Sequence, residues 1–537
     1  MKKRLEKKKK LSAIIVLIII VMTLAMMGIE AIYKVKLTFA SDVSNNNIIP
    51  KPLSYEKGKG KFVLTKDSAI YIKGKNEEET EDISEIAEFI REKLKASTGF
   101  ELNIVEGEKA PKGSIYLTTI GGEEVQGNEG YRVVTTPENV KITAYKPEGL
   151  SRGVQTLRQI LPPEIEKNTV VSNVEWSIPS STIYDKPEYS YRGLMIDVAR
   201  HFFTEDEIKR QIDLVAQYKI NKVHLHLSDD QGWRLEIKKY PDLTLIGGST
   251  EVGGGPGGYY TQDQFKDIVE YAAERYVEII PEFDMPGHTN AALASYGFLN
   301  PDGKKKPLYT GIKVGFSSFM THDERTYNFI EDVIKEVSAI SPSKYFHIGG
   351  DEADSTPKKD YDYFVGRVSK IVEKYGKTPI GWNPIDTSPE ITSNVVLQNW
   401  QGSNEAAREK GMKMVISIAE KAYLDMKYDE NTPYGLDWAG YIPVETAYKW
   451  DPTEYAPKDL VLGIESPLWT ENISAQNEMD YMIYPRLLGY AEIGWTPKGS
   501  RNWEEYKGRL EKQGIRMENQ GINYYRDSSI WSSGKSR

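Results

Sequence analysis

The sequence predicts an α/β protein, a (β/α)8 barrel preceded by a smaller α+β domain, and three observations lead there. Between Gly193 and Glu465, eight strand-like runs alternate with amphipathic helical patterns; such alternation argues for parallel βα units, and eight of them for a closed barrel. Upstream, from Tyr55 to about Leu161, the rhythm is different and mixes strands and helices irregularly. Finally, acids, histidines and tryptophans gather just past the ends of the eight runs, where a barrel carries its functional loops.

The N-terminus joins a basic segment, Met1 to Lys10, to an uncharged run from Leu11 to Ile29. That order is expected of a secretory signal, and the run is long enough to anchor the chain if it is not removed. Thr38-Phe39-Ala40 fits a small-residue cleavage site, so 1–40 reads as a signal peptide or membrane anchor and the rest is expected outside the cytoplasm. Ser41 to about Pro52 is polar and Asn-rich, a flexible leader. Residues 41–185 form the smaller, non-catalytic domain. Its strands are expected at Phe62–Leu64, Ala69–Ile72, Ser114–Thr118, Tyr131–Thr135 and Val140–Ala144. Ile83, Ile86, Ala87, Ile90 and Leu94 recur at helical spacing, with Gly99 as the stop. A second helix should run from about Gly149 to Leu161, ending at Pro162-Pro163. Ile178 to Ser190 reads as a linker.

The barrel domain is 186–530. Its strands are expected at Gly193–Val198, Lys222–Leu227, Val277–Glu282, Tyr345–Ile348, Thr378–Trp382, Val395–Asn399, Lys413–Ser417 and Leu460–Glu465. Thr204-Glu205-Asp206-Glu207 resembles a capping box at the first helix. Long connections at 247–260, 298–322 and 421–459 are of the kind that build a cleft.

Composition removes several classes of function. A net charge of −9 leaves no basic surface for nucleic acid, and with no Cys there is neither a thiolate metal site nor a cysteine nucleophile. Just past the strands lie Arg200 and His201; His224, His226, Asp229, Asp230 and Trp233; Glu282, Asp284 and His288; His347, Asp351 and Glu352; then Trp382, Trp400, Tyr423, Asp425, Trp469 and Glu471. So many converging acids and indoles are poorly explained by packing, because unpaired buried carboxylates are costly. Adjacent acids such as Asp351 and Glu352 repel, so one tends to keep its proton near neutral pH, although acids after Gly349-Gly350 could also merely cap a following helix. Aromatic rings stack on pyranose faces, carboxylates bind hydroxyls, and a protonated Glu can protonate a glycosidic oxygen. The pattern points to sugar chemistry.

Here a resemblance becomes specific. His347-Ile-Gly-Gly-Asp-Glu352, Arg192 to Phe203, His224-Leu-His-Leu-Ser-Asp-Asp-Gln-Gly-Trp-Arg234, Asp284-Met-Pro-Gly-His288 and Leu468-Trp-Thr-Glu471 look like the β-N-acetylhexosaminidases of glycoside hydrolase family 20, closest to the bacterial exo-acting members. The match spans about Ile183 to Tyr525. The resemblance implies Glu352 as general acid/base and Asp351 as the group holding the substrate's acetamide N–H. Tyr423 would bind the acetamide oxygen, with Trp382, Trp400 and Trp469 around its methyl group. Arg200, Asp425 and Glu471 would take ring hydroxyls, and Asp229, Asp284 and His288 would support the acid. It implies no cofactor and no metal, a terminal N-acetylhexosamine glycan or chitin fragment as substrate, and a retaining reaction assisted by the substrate, for which this family is a recognised exception to the two-carboxylate scheme. Two rivals remain. His224-x-His226 on one strand face, with His288 and Asp284, could serve a metal-dependent amidohydrolase. A catalytically inactive surface carbohydrate-binding protein would be expected to have lost one acid of the pair, and both are present.

Overall fold

The computed structural model describes residues 47–531; the expected signal or anchor segment lies outside them. Seven strands form one mixed sheet: β1 (Ser54–Val63), β2 (Ala69–Lys73), β3 (Asn103–Glu106), β4 (Ser114–Thr118), β5 (Tyr131–Thr135), β6 (Val140–Ala144) and β7 (Ser177–Asp185). Their order is β1-β7-β5-β6-β4-β2-β3. Neighbours from β1 to β6 are antiparallel, and from β6 to β3 parallel. Helix 77–98 starts at Asn76, whose side chain accepts from the Glu79 N–H, and stops at left-handed Gly99. It buries Ile83, Ile86, Ala87, Ile90 and Leu94 as the spacing requires.

Two expectations fail here. The supposed linker at Ile178–Ser190 is largely β7, a strand paired on both sides. Pro179 disguises it, because proline cannot donate to a ladder. The residue is tolerated because β5 reaches only as far as Ser181, leaving Pro179 paired to β1 alone. The polar leader is also not loose from Asn47 on. Ile48 and Ile49 are buried, the Ile49 N–H donates to Gln159 Oε1 at 2.9 Å, and the Lys51 N–H donates to Glu492 Oε2 at 2.9 Å.

The second unit is a closed all-parallel barrel of β8 (Tyr191–Asp197), β9 (Lys222–His226), β10 (Glu278–Glu282), β11 (Tyr345–His347), β12 (Thr378–Trp382), β13 (Val396–Asn399), β14 (Met414–Ile416) and β15 (Val461–Leu468). Every strand lies where the alternation put it. Its outer layer includes helices 205–217, 262–273, 324–340 and 358–374, the first opening with the expected capping box at Thr204. Between β12 and β13 there is only a 3-10 turn, 385–387.

The two units are joined by buried polar contacts. Lys219 Nζ lies 3.1 Å from Asp185 Oδ2, Trp495 Nε1 donates to Asp185 Oδ1 at 2.8 Å, and Arg192 pairs with Glu129. Arg516 donates to the Gln159 carbonyl at 2.7 Å.

Candidate active site

At the carboxyl ends of the strands a cavity of about 230 Å³ is lined by Arg200, Asp351, Glu352, Trp400, Tyr423, Asp425, Trp469 and Glu471, with Ile312, Val314, Leu436 and Trp438 also on its wall. Strand β11 ends at His347 and the chain then winds around Asp284. Gly349 (φ 66°) and Gly350 (φ 104°) both have positive φ, and a Cβ on Gly349 would stand 1.7 Å from Asp284 Oδ1. The Gly350 N–H donates to that same oxygen at 3.0 Å. Only glycine fits a backbone so placed. Glu352 itself has φ 42°, a costly conformation for a non-glycine residue and one concentrated at functional sites. The next helix does not begin until Lys358, so Asp351 and Glu352 are not its caps.

Electrostatics divide the two neighbours. Asp351 is buried and pushed up to about 6, first by desolvation and then by the Glu352 and Glu282 charges, against the opposing pull of His288. Glu352 has a side chain 38% exposed, and His288 Nε2 lies 3.4 Å from its Oε2. Behind them, burial and the Asp351 charge raise Asp284 well above the usual carboxylate range. His288 is held well above an ordinary imidazole: desolvation opposes its charge, but Asp229 and Asp284 outweigh it. Asp229 is depressed despite burial, because Arg200 and His288 face it; Arg200 Nη2 is 2.8 Å away and His288 Nδ1 3.2 Å. Asp229, Asp284 and His288 therefore stand together directly behind the pair.

The cavity floor is Arg200, Asp425 and Glu471. Arg200 also contacts Asp197 at 3.2 Å and has the Trp469 ring 4.9 Å from its guanidinium carbon. Burial raises Asp425, helped by the Glu471 charge, and burial raises Glu471 although Arg200 opposes it. Asp351 Oδ1, both Asp425 oxygens, Glu471 Oε2 and Arg200 Nε are buried with no protein hydrogen-bond partner. Buried polar atoms are rarely left so, and a polyhydroxylated ligand would satisfy them.

The aromatic wall is Trp400 and Tyr423, stacked at 6.4 Å with 21° between planes, and Trp469, 6.3 Å from Tyr423. Trp382 is placed differently from a direct wall. It is 1% exposed and is not among the cavity-lining residues, backing Trp469 at 5.7 Å. Other strand-end residues serve the frame. His201 Nδ1 meets the Thr470 carbonyl at 2.5 Å; Trp233 packs on Phe283 at 4.9 Å; Asp230 accepts from the Ser317 hydroxyl and the Asn290 N–H.

Sequence reasoning missed Ile312, Val314, Leu436 and Trp438, which stand on long connections where periodicity says nothing. Asn383, beside Trp382 and given no role by the resemblance, holds Trp400: its Oδ1 accepts from the Trp400 N–H at 3.0 Å and its carbonyl from the Trp400 indole at 3.1 Å. The expected metal set does not gather as one group: ligand atoms within 4.8 Å of one another place His224 with Glu282 and His347, His226 with Glu282 and Asp284, and His288 with Asp284 and Asp351. In this arrangement both His224 nitrogens face carboxylates, Glu465 at 2.9 Å and Glu282 at 3.0 Å. Desolvation is outweighed by those two charges and the ring is raised to about 9.

Comparison with known proteins agrees with this geometry. Residues 189–498 match the model of the glycosyl hydrolase family 20 catalytic domain, and residues 45–186 match that family's domain 2. A β-N-acetylhexosaminidase of Cellulomonas fimi is 36% identical over 494 residues, covering 90% of this chain and 96% of the relative. The solved family 20 β-N-acetylhexosaminidase of Streptomyces coelicolor A3(2) superposes with a TM-score of 0.86 at 45% identity, covering 90% of this chain and 98% of the other. The Streptomyces plicatus N-acetyl-β-hexosaminidase, solved with Thio-NAglucal, gives 0.85 at 46% identity, covering 90% and 97%. A (β/α)8 barrel, a strand-end pocket with an Asp-Glu pair and a family match over most of the chain converge: this chain belongs to glycoside hydrolase family 20.

Proposed function

We propose that the protein is an exo-acting β-N-acetylhexosaminidase, removing terminal non-reducing β-linked GlcNAc or GalNAc with retention, the substrate's own acetamide oxygen being the nucleophile. The observation that carries this reading is the unpartnered Asp351 Oδ1, buried beside the half-exposed Glu352 in a pocket walled by Trp400, Tyr423 and Trp469. Asp351, ionised above about pH 6, accepts the acetamide N–H, and Tyr423 donates to its oxygen. So held, the oxygen attacks the anomeric carbon while Glu352 protonates the leaving oxygen. The charge developing on the oxazolinium ring is stabilised by Asp351 in a water-poor site. The cationic His288 faces the carboxylate that Glu352 leaves behind, which then takes a proton from water as the ring opens. Arg200, Asp425 and Glu471, which line the pocket, fix the ring hydroxyls of the terminal residue.

Chitin fragments fit as substrate, since they end in β-linked GlcNAc. Supporting a place of action outside the cytoplasm is the basic and apolar composition of residues 1–29, with cleavage near Ala40 expected; the membrane enters only if that segment stays. Hydrolysis of aryl β-GlcNAc, aryl β-GalNAc and chitobiose side by side tests the reading. Release of N-acetylhexosamine as the β-anomer in early NMR spectra is expected, and inertness toward all three overturns it.

A further inference from the structure

Beneath the pocket lies Glu282, the last residue of β10, wholly unexposed. Its two oxygens serve different neighbours. Oε1 accepts the Trp382 indole N–H at 2.7 Å and lies 2.9 Å from His347 Nδ1. Oε2 contacts His226 Nδ1 at 2.5 Å and lies 3.0 Å from His224 Nε2. From His226 a continuous line runs outward: Nε2 to Asp229 Oδ2 at 3.0 Å, Asp229 Oδ1 to His288 Nδ1 at 3.2 Å, and His288 Nε2 to Glu352 Oε2 at 3.4 Å. From Trp382 a second, shorter line runs to the cavity through Trp469, 5.7 Å away. The two lines also meet farther out, where the Trp469 ring lies 5.0 Å from His226 and Arg200 touches both Trp469 and Asp229, but Glu282 is where both begin.

We propose that Glu282 is a positioning residue for both halves of the reaction. Oε1 locks the indole behind the aromatic wall of the acetamide pocket. Oε2, through His226, Asp229 and His288, orients the acid that protonates the leaving oxygen. The proposal rests on the hexosaminidase reading above. A carboxylate is needed because all its lone pairs accept and both oxygens meet donors. A carboxamide of the same shape would point its NH2 at either the indole N–H or the His226 ring, donor against donor. Had the barrel needed only filling, apolar side chains would serve, since a buried ion cluster is no better for stability than a well-packed hydrophobic one. Titratable groups face Glu282 and its partners from every side: His224 and His226 on β9, His347 on β11, Asp197 and Asp284 at the ends of β8 and β10, Glu465 within β15, and Asp351 above. Despite burial, the His347, His226 and His224 imidazoles hold Glu282 well below the usual carboxylate range.

The test uses the full chain and compares Glu282→Gln with two single-line variants, Trp382→Phe and His226→Gln. Three readouts are taken for each: kcat/KM on aryl β-GlcNAc substrates with good and poor leaving groups, its pH profile, and the inhibition constant of a thiazoline mimic of the ring-closed intermediate. Glu282→Gln should lose roughly 10–100-fold on poor leaving groups, move the pH profile, and bind the mimic about tenfold more weakly, the scale of orienting-partner losses. Trp382→Phe should move the mimic constant but not the leaving-group dependence; His226→Gln should do the reverse. A Glu282→Gln enzyme with lower melting temperature but wild-type kinetics in its folded fraction overturns the proposal, as does one that moves a single readout. Where Glu282→Gln does not fold, the other two variants decide, and identical profiles for both are the contrary result. A wild-type chain that neither cleaves aryl β-GlcNAc nor binds the mimic would instead overturn the functional reading itself.

Discussion

Two sets of buried carboxylates share one end of the barrel and behave oppositely. Glu282, Glu465 and Asp229, inside the barrel or just above it, are held below the usual range because imidazoles and Arg200 outweigh desolvation. Asp351, Asp425 and Glu471, in the pocket, are raised because desolvation wins. Burial is common to both, so neighbours decide the sign. The paired set holds the frame, while the unpaired set stores an electrostatic cost that, under the proposed function, a bound sugar would relieve. This is the stability–activity conflict expected of a preorganised site.

The largest effect should come from the acid that stands between the two sets. Glu352→Gln should cost on the order of 10²–10⁴ in rate on poor leaving groups, the usual share of a general acid. The loss should shrink for activated aryl glycosides, which need little protonation; steady-state kinetics across a leaving-group series check it. An equal loss on all leaving groups would move the acid elsewhere.

Breaking the paired set should unfold the frame. Glu465 accepts from the Tyr191 hydroxyl at 2.5 Å and Gln398 Nε2 at 2.6 Å, and faces His224 Nδ1 at 2.9 Å. Glu465→Gln should destabilise by about 3–5 kcal/mol, as loss of a buried ionic partner does. Because the folded Glu465 titrates below its unfolded value, its contribution is present at neutral pH and is lost as pH falls through the folded value. Denaturant melts at two pH values read both.

The unpaired set should respond the other way. A rise of Asp351 from 3.8 to about 6 corresponds to roughly 3 kcal/mol of strain at neutral pH. Because its folded value is raised, its contribution is favourable below pH 3.8 and is lost as pH rises through about 6. Asp351→Asn should therefore raise the melting temperature at pH 7. It should also cost on the order of 10²–10³ in rate even with good leaving groups, the scale of losing one preorganised stabiliser. In the parent enzyme kcat/KM should fall as pH drops below about 6. A destabilised Asp351→Asn chain would erase the contrast between the two sets.

The smallest effect belongs to the floor. Glu471→Gln should raise KM roughly 10–100-fold, the loss of a hydrogen bond to a charged group, with a minor change in kcat. A deoxy sugar lacking the bound hydroxyl should be insensitive to the substitution.

Much of this was legible because the signals were local. Strand-helix alternation from Gly193 to Glu465 placed all eight barrel strands, and Gly349-Gly350 marked the turn that carries Asp351-Glu352. What hid depended on distance in sequence. Strand β7 was masked by Pro179, whose missing donor matters only if a strand lies beside it. Trp438 reaches the cavity from a long connection, an exposed indole that nothing in its neighbours distinguishes. Trp382 stands at a strand end like a wall residue but is set one layer back, a depth no one-dimensional pattern records. Glu282 looked like one more acid until its two oxygens were seen to divide their partners.

The most direct test of the account is a comparison of aryl β-GlcNAc with the aryl β-glucoside bearing the same leaving group. Both sugars offer the same ring hydroxyls to the floor except at C2, and only one brings the acetamide that Asp351 is placed to hold. If that acetamide is the nucleophile, kcat/KM for the glucoside should be lower by at least on the order of 10³, since a positioned internal nucleophile is lost. Comparable rates on the two substrates would contradict it.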